Sequence, residues 1–161
     1  MKKLIIVRHA KSSWDYDVSD PDRSLSERGI KDAHRTAAYL SNKIEEPDAV
    51  FSSPANRALH TCIIFLKNLH IPFRKLQITD AMYDFGGESV LTLLRSLDNA
   101  YNSVAVFGHN HALTSLCNIF GNKAVDNLPT SGVVLICFNV GDWAKIERGQ
   151  TELIVFPKQL R

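Results

Sequence analysis

Lys2-Lys3-Leu4-Ile5-Ile6-Val7-Arg8-His9-Ala10 is the stretch that decides the fold. Its centre, residues 4–7, is an unbroken apolar run, and residues 3–7 lack the alternation of a half-exposed strand. A strand of this kind is buried on both faces, as in a parallel sheet covered by helices. The run is too short for a secretory leader or a membrane span, and the charge of Arg8 ends it. Residues 103–107 (SVAVF) repeat the pattern, and Ala49-Val50-Phe51 is a shorter piece of the same kind. Residues 133–140 and 152–156 make two later strands.

Helical signals fall between these strands. Ser26-Glu27 opens a stretch in which Ile30, Ala33, Ala37, Leu40 and Ile44 recur at helical spacing. Pro54 takes a first-turn position ahead of Ala58, Leu59, Cys62, Ile63 and Leu66. Residues 90–97 and 113–120 form two further helices. Strands alternating with helices of this length predict an α/β domain with a mostly parallel central sheet and helices on both faces. In such a sheet, ligands bind outside the carboxyl ends of the strands. The 161 residues suffice for one core and not for two, so a single domain over residues 1–161 is expected.

Nineteen Lys and Arg against seventeen Asp and Glu leave a formal charge of +2. That is no field for tracking a phosphate backbone, so nucleic acid is not an expected partner, and no segment calls for a membrane. The three cysteines, Cys62, Cys117 and Cys137, are odd in number and set in apolar sequence. They read as reduced core thiols, which points to the cytoplasm. The longest irregular stretch, residues 11–24, follows the first strand and carries Trp14 and Tyr16; it either lines a substrate entrance or packs down on the body.

Three strand ends deliver the same kinds of side chain. Arg8-His9 follows the first strand, Ser52-Ser53-Pro54 and then Arg57 follow the second, and Gly108-His109-Asn110 follows residues 103–107. In a parallel sheet, two arginines and two histidines therefore converge at one edge. Guanidiniums hold phosphoryl oxygens in bidentate fashion, and a helix N-terminus adds backbone donors. One imidazole can attack phosphorus, and the other can donate to the equatorial oxygens as charge builds. His109 and His111 could instead pair on a metal, but alternate residues at a strand end face opposite ways and no carboxylate cluster accompanies them.

Arg8-His9-Ala10, Ser53-Pro54-Ala55-Asn56-Arg57-Ala58 with Thr61, and Gly108-His109-Asn110 resemble the histidine phosphatase superfamily. Within it, Asp22-Arg23-Ser24-Leu25 followed by Gly29, and Pro129-Thr130-Ser131 followed by Trp143 and Pro157, look most similar to the short SixA-like phosphohistidine phosphatases. The resemblance implies a three-layer phosphoglycerate mutase-like fold. It also implies His9 as nucleophile, with Arg8, Arg57 and His109 round the phosphate, and no metal or other cofactor. The implied substrate is phosphohistidine on a protein. Asp15 stands where the mutases carry a phosphate-contacting asparagine, which speaks against mutase activity.

For a general acid the resemblance leaves Asp84 and Glu88, of which Glu88 is the expectation. Two rivals share the pocket: a phosphomonoesterase for a small sugar or nucleotide phosphate, and a non-catalytic phosphate-binding module. The short chain leaves no connection long enough for a substantial cap, which favours a phosphorylated side chain on a protein over a small ester.

Overall fold

The computed structural model describes all residues, 1–161. Six strands form one sheet: β1 (Lys2–Arg8), β2 (Ala49–Ser52), β3 (Leu76–Ile78), β4 (Ser103–Gly108), β5 (Val133–Phe138) and β6 (Gln150–Val155), in the order β3-β2-β4-β1-β5-β6. The pairs β2/β3, β2/β4 and β4/β1 are parallel, and β5 runs antiparallel to both β1 and β6. The sheet is thus parallel across the four strands β3-β2-β4-β1 and antiparallel at β5 and β6.

Side-chain alternation explains why the strands are apolar throughout. In β1, Leu4 and Ile6 enter one core while Ile5 and Val7 enter the other; in β4, Val104 and Val106 oppose Ala105 and Phe107. Both faces are therefore covered. On one face lie α1 (Glu27–Leu40) and α2 (Asn56–Asn68), burying Ala33, Ala37, Leu40, Cys62, Phe65 and Leu66. On the other lie α3 (Glu88–Arg95) and α4 (Ala112–Phe120), burying Val90, Leu94, Leu113, Leu116, Cys117 and Phe120. All three cysteines are buried and unbridged.

Several boundaries differ from the sequence reading. The Ser26 hydroxyl caps α1 by accepting from the Gly29 N–H, but the helix stops at Leu40, because Asn42 adopts a left-handed backbone (φ 70°). Ile44 therefore follows the helix and packs against the core from a loop. Pro54 lies ahead of the Ala55 cap rather than inside α2, and Ser53 Oγ accepts from the Ala55 N–H there. The edge strand β3 has no counterpart in the sequence reading.

The register places the site. Arg8 pairs with Gly108 across β1 and β4, and Ser52 with Phe107 across β2 and β4. The carboxyl ends of three adjacent strands are thereby level, and the residues just beyond them share one edge.

Candidate active site

His9 follows β1 with only 8% of its surface exposed, and its Nδ1 lies 2.7 Å from the Ala10 carbonyl. A carbonyl only accepts, so Nδ1 carries the proton. Burial, reinforced by the charges of His109, Arg57 and Arg8, pushes the His9 pKa down to about 3. The ring is then neutral at physiological pH with its free lone pair on Nε2. That is the protonation state an attacking imidazole needs.

Arg8 is anchored by Nη1 donating to the Leu128 carbonyl (2.9 Å), while its buried Nε–H has no protein acceptor. Arg57, in the first turn of α2, is 3% exposed. Its Nη1 donates to the Asp20 carbonyl (2.8 Å), and its Nη2 meets the Asp20 carboxylate (3.0 Å) and His109 Nδ1 (3.3 Å). A guanidinium cannot accept, so His109 Nδ1 does, leaving His109 Nε2–H to donate to Ser53 Oγ at 2.9 Å. Burial and the adjacent Arg57 charge push the His109 pKa down to about 4. The two imidazole centroids are 5.3 Å apart.

The pocket above these groups, about 410 Å³, is lined on its floor by Arg8, His9 and Arg57. Its rim includes Lys11, Trp14, Asp20, Arg23, Phe85 and His111. His109 is buried and is not among the residues lining the pocket; its ring packs against Arg57, Tyr83 and Phe85, the last two at centroid distances of 5.2 and 4.9 Å. Of the four residues singled out in the sequence, three thus face the pocket and the fourth orients one of them. His111 stands at the rim, and no group of three or more His, Cys, Asp and Glu side chains is placed to share a metal ion.

The expectation for Glu88 is corrected by its position. It opens α3 and lines a separate shallow depression with Ala81, Ser89, Thr92, Leu93 and Ser96, and it is not among the residues that line the pocket above His9. Asp84 is also committed: its carboxylate accepts from the N–H groups of Gly86, Gly87, Ser89 and Val90, at 3.0–3.1 Å. The one carboxylate on the pocket is Asp20, to which the sequence reading gave no role. It also accepts from the Tyr83 hydroxyl (2.5 Å) and from Arg23 (3.3 Å). These hydrogen bonds, Tyr83 foremost, hold its pKa below the usual aspartate range.

A family model described as histidine phosphatase superfamily (branch 1) matches residues 4–84. An uncharacterized protein of Mycobacterium tuberculosis is 28% identical over 160 residues, spanning 93% of this chain and 98% of its own length. Phosphoserine phosphatase 1 of Hydrogenobacter thermophilus is 44% identical over 78 residues, 44% of this chain and 35% of that protein. A crystal structure from Agrobacterium tumefaciens assigned as phosphohistidine phosphatase SixA superposes with a TM-score of 0.75 at 26% identity, over 84% of this chain and 90% of that one. The fold is also that of the protein histidine phosphatase SixA bound to tungstate, with a TM-score of 0.82 at 23% identity over 99% of each chain. The fold is accordingly phosphoglycerate mutase-like, and the chain belongs to the histidine phosphatase superfamily, branch 1, as a histidine-dependent phosphatase.

Proposed function

We propose that this phosphatase removes the phosphoryl group from phosphohistidine carried on a protein, with His9 as the covalent acceptor. Arg8 and Arg57 clamp the phosphoryl oxygens, the Arg8 Nε–H being a buried donor still without an acceptor. His9 Nε2 attacks phosphorus in line, the substrate P–N bond breaks, and its electron pair stays with the departing ring nitrogen. Water then attacks phospho-His9, the second P–N bond breaks, and inorganic phosphate leaves with one water proton passed to solvent. The incoming dianion draws Arg57 toward itself and favours a protonated His109, whose Nδ1–H becomes a donor to the developing charge.

The observation that carries the choice of substrate is the state of the carboxylates. An alkoxide leaving group needs an acid beside it, and a phosphorylated imidazole departs as a neutral ring once its second nitrogen is protonated. Asp20 is held ionised by Tyr83 and Arg57, Asp84 is tied to four backbone N–H groups, and Glu88 faces elsewhere. The pocket thus offers clamping without a poised carboxylic acid, which suits phosphohistidine better than a sugar or serine phosphate. The Agrobacterium tumefaciens and tungstate-bound proteins are both named for the same substrate class.

The test is phosphate release from a histidine-phosphorylated carrier domain by the enzyme and by His9→Ala. The expected loss in the variant is at least about 10³-fold, with no phosphoenzyme recovered after an alkaline quench, which preserves phosphohistidine. Undiminished turnover by His9→Ala would overturn the nucleophile. Faster hydrolysis of phosphoserine or a sugar phosphate than of the carrier would favour a small-ester phosphatase instead.

A further inference from the structure

The fold leaves nine large hydrophobic side chains exposed, and three of them fall within five residues: Trp14 (78% exposed), Tyr16 (69%) and Val18 (46%). This segment borders the pocket. Trp14 lines its mouth, and Phe85, 45% exposed, stands on the rim with it. A soluble chain exposes single apolar residues routinely, but a cluster at the entrance to a site marks a contact surface.

The segment is held from below, not packed flat. Ser12 bridges to Leu25, the Ser13 N–H donates to the Ser24 carbonyl (2.8 Å), and Asp20 is locked to Arg57 and Tyr83. Arg23 stacks on the Trp14 ring at 3.4 Å and donates to Ser12 Oγ. That contact covers one face of the indole and leaves most of its surface to solvent. Of the two readings open for Trp14 and Tyr16, this geometry supports the entrance for Trp14, while Tyr16 stands exposed two residues further along.

Charge says what the surface is built to meet. Asp15, Asp17 and Asp22 are exposed on the same segment, and none forms an ion pair with a basic side chain. These carboxylates, of which Asp22 also accepts from the Ser19 hydroxyl (2.9 Å), repel a small dianionic ester, although the floor that receives it is cationic and Lys11 and Arg23 stand on the rim. A protein surface that brings its phosphoryl group surrounded by lysines or arginines gains from both: the anion meets Arg8 and Arg57, and the cations meet the loop.

We infer that residues 14–22, with Phe85, form a docking surface for a folded protein domain that presents phosphohistidine among basic residues. The inference rests on the substrate reading above and adds where and by what chemistry the partner is held. Trp14 and Tyr16 supply rigid aromatic contact area, and the three aspartates supply steering that salt screens within about 8–10 Å.

The experiment uses the full-length enzyme, Tyr16→Ala and the double variant Asp15→Asn/Asp17→Asn, none of which alters a residue lining the pocket. Two substrates are compared: a folded carrier domain phosphorylated on a surface histidine flanked by lysines, and the free amino acid phosphohistidine. Each variant is expected to raise KM for the folded carrier at least about fivefold, with kcat unchanged and both constants for free phosphohistidine unchanged. Added salt should weaken kcat/KM for the carrier in the unaltered enzyme and much less in the aspartate variant. Unchanged KM for the carrier, or equal losses on both substrates, would overturn the docking surface and leave the substrate reading intact. Failure of the unaltered enzyme to act on either phosphohistidine substrate would overturn both.

Discussion

The Asp20 carboxylate lies 3.0 Å from Nη2 of Arg57, and the Asp20 carbonyl accepts from Nη1 of the same guanidinium. A charge as buried as Arg57 needs a partner, and Asp20 supplies it from within the chain. A phosphate dianion must then share Arg57 with an anion already in place. Asp20→Asn keeps an oxygen that can accept and removes the charge, so it should tighten competitive inhibition by inorganic phosphate about three- to tenfold. Asp20→Ala removes both and leaves Arg57 held only through the Asp20 backbone carbonyl, so it should lower kcat/KM. Inhibition constants against p-nitrophenyl phosphate measure both, and an unchanged constant for Asp20→Asn would mean that the ligand does not feel the carboxylate.

Acid should loosen the fold through the two site histidines. In the folded chain they titrate near 3 (His9) and 4 (His109), whereas in the unfolded chain each titrates near ~6.5. Between those values the unfolded chain binds protons that the folded one refuses, so stability is full above pH ~6.5 and falls as the pH drops. At pH ~5 each histidine would cost up to about 2 kcal/mol. Urea midpoints followed from pH ~7 to ~4.5 should fall less steeply in His9→Asn than in the unaltered chain. Parallel curves would show that His9 is not held neutral by burial.

Much of this was legible because the deciding features are local. Residues 3–7 and 103–107 announce buried strands by lacking alternation, and Arg8, Arg57 and His109 each sit within a few residues of a strand end. What sequence could not give is contact at long range. Asp20 reaches Arg57 across 37 positions and Tyr83 across 63, with no periodicity linking them. The strand β3 was missed because it is three residues at an edge, with Gln77 and Ile78 exposed, so burial leaves little pattern. Glu88 was chosen as one of two carboxyls at the start of the third helix, and position in sequence does not say which depression a first-turn side chain lines.

Gly29 couples the first helix to the loop beside the pocket. A Cβ on residue 29 would overlap the carbonyl oxygen of Lys11, a backbone atom that also accepts from the Ser26 N–H. Helix propensity alone favours Gly29→Ala by up to about 1 kcal/mol, but a rigid carbonyl cannot step aside as a flexible side chain would. The substitution should therefore destabilise the fold by about 1–3 kcal/mol and raise KM, since Lys11 and Ser12 line the pocket. Thermal unfolding and kinetics on p-nitrophenyl phosphate test this, and a variant more stable than the unaltered chain would show that the helix and loop separate freely.

The acid that the pocket lacks should appear as a dependence on the leaving group. With Glu88 lining a different depression and Asp84 bound to four N–H groups, no carboxyl proton stands ready when the bond to oxygen breaks. The leaving oxygen must then depart as an anion, and the rate should track its own acidity. Across a series of aryl phosphates, log kcat/KM should fall steeply as the phenol pKa rises, with alkyl phosphates slowest. An enzyme with a placed acid gives a shallow slope over the same series, because the proton arrives as the bond breaks. Glu88→Gln should leave kcat within about twofold on every ester, as expected of a surface change remote from the chemistry. A shallow slope that steepens in Glu88→Gln would return Glu88 to the reaction; a steep slope in both enzymes leaves P–N substrates as the ones this pocket is made for.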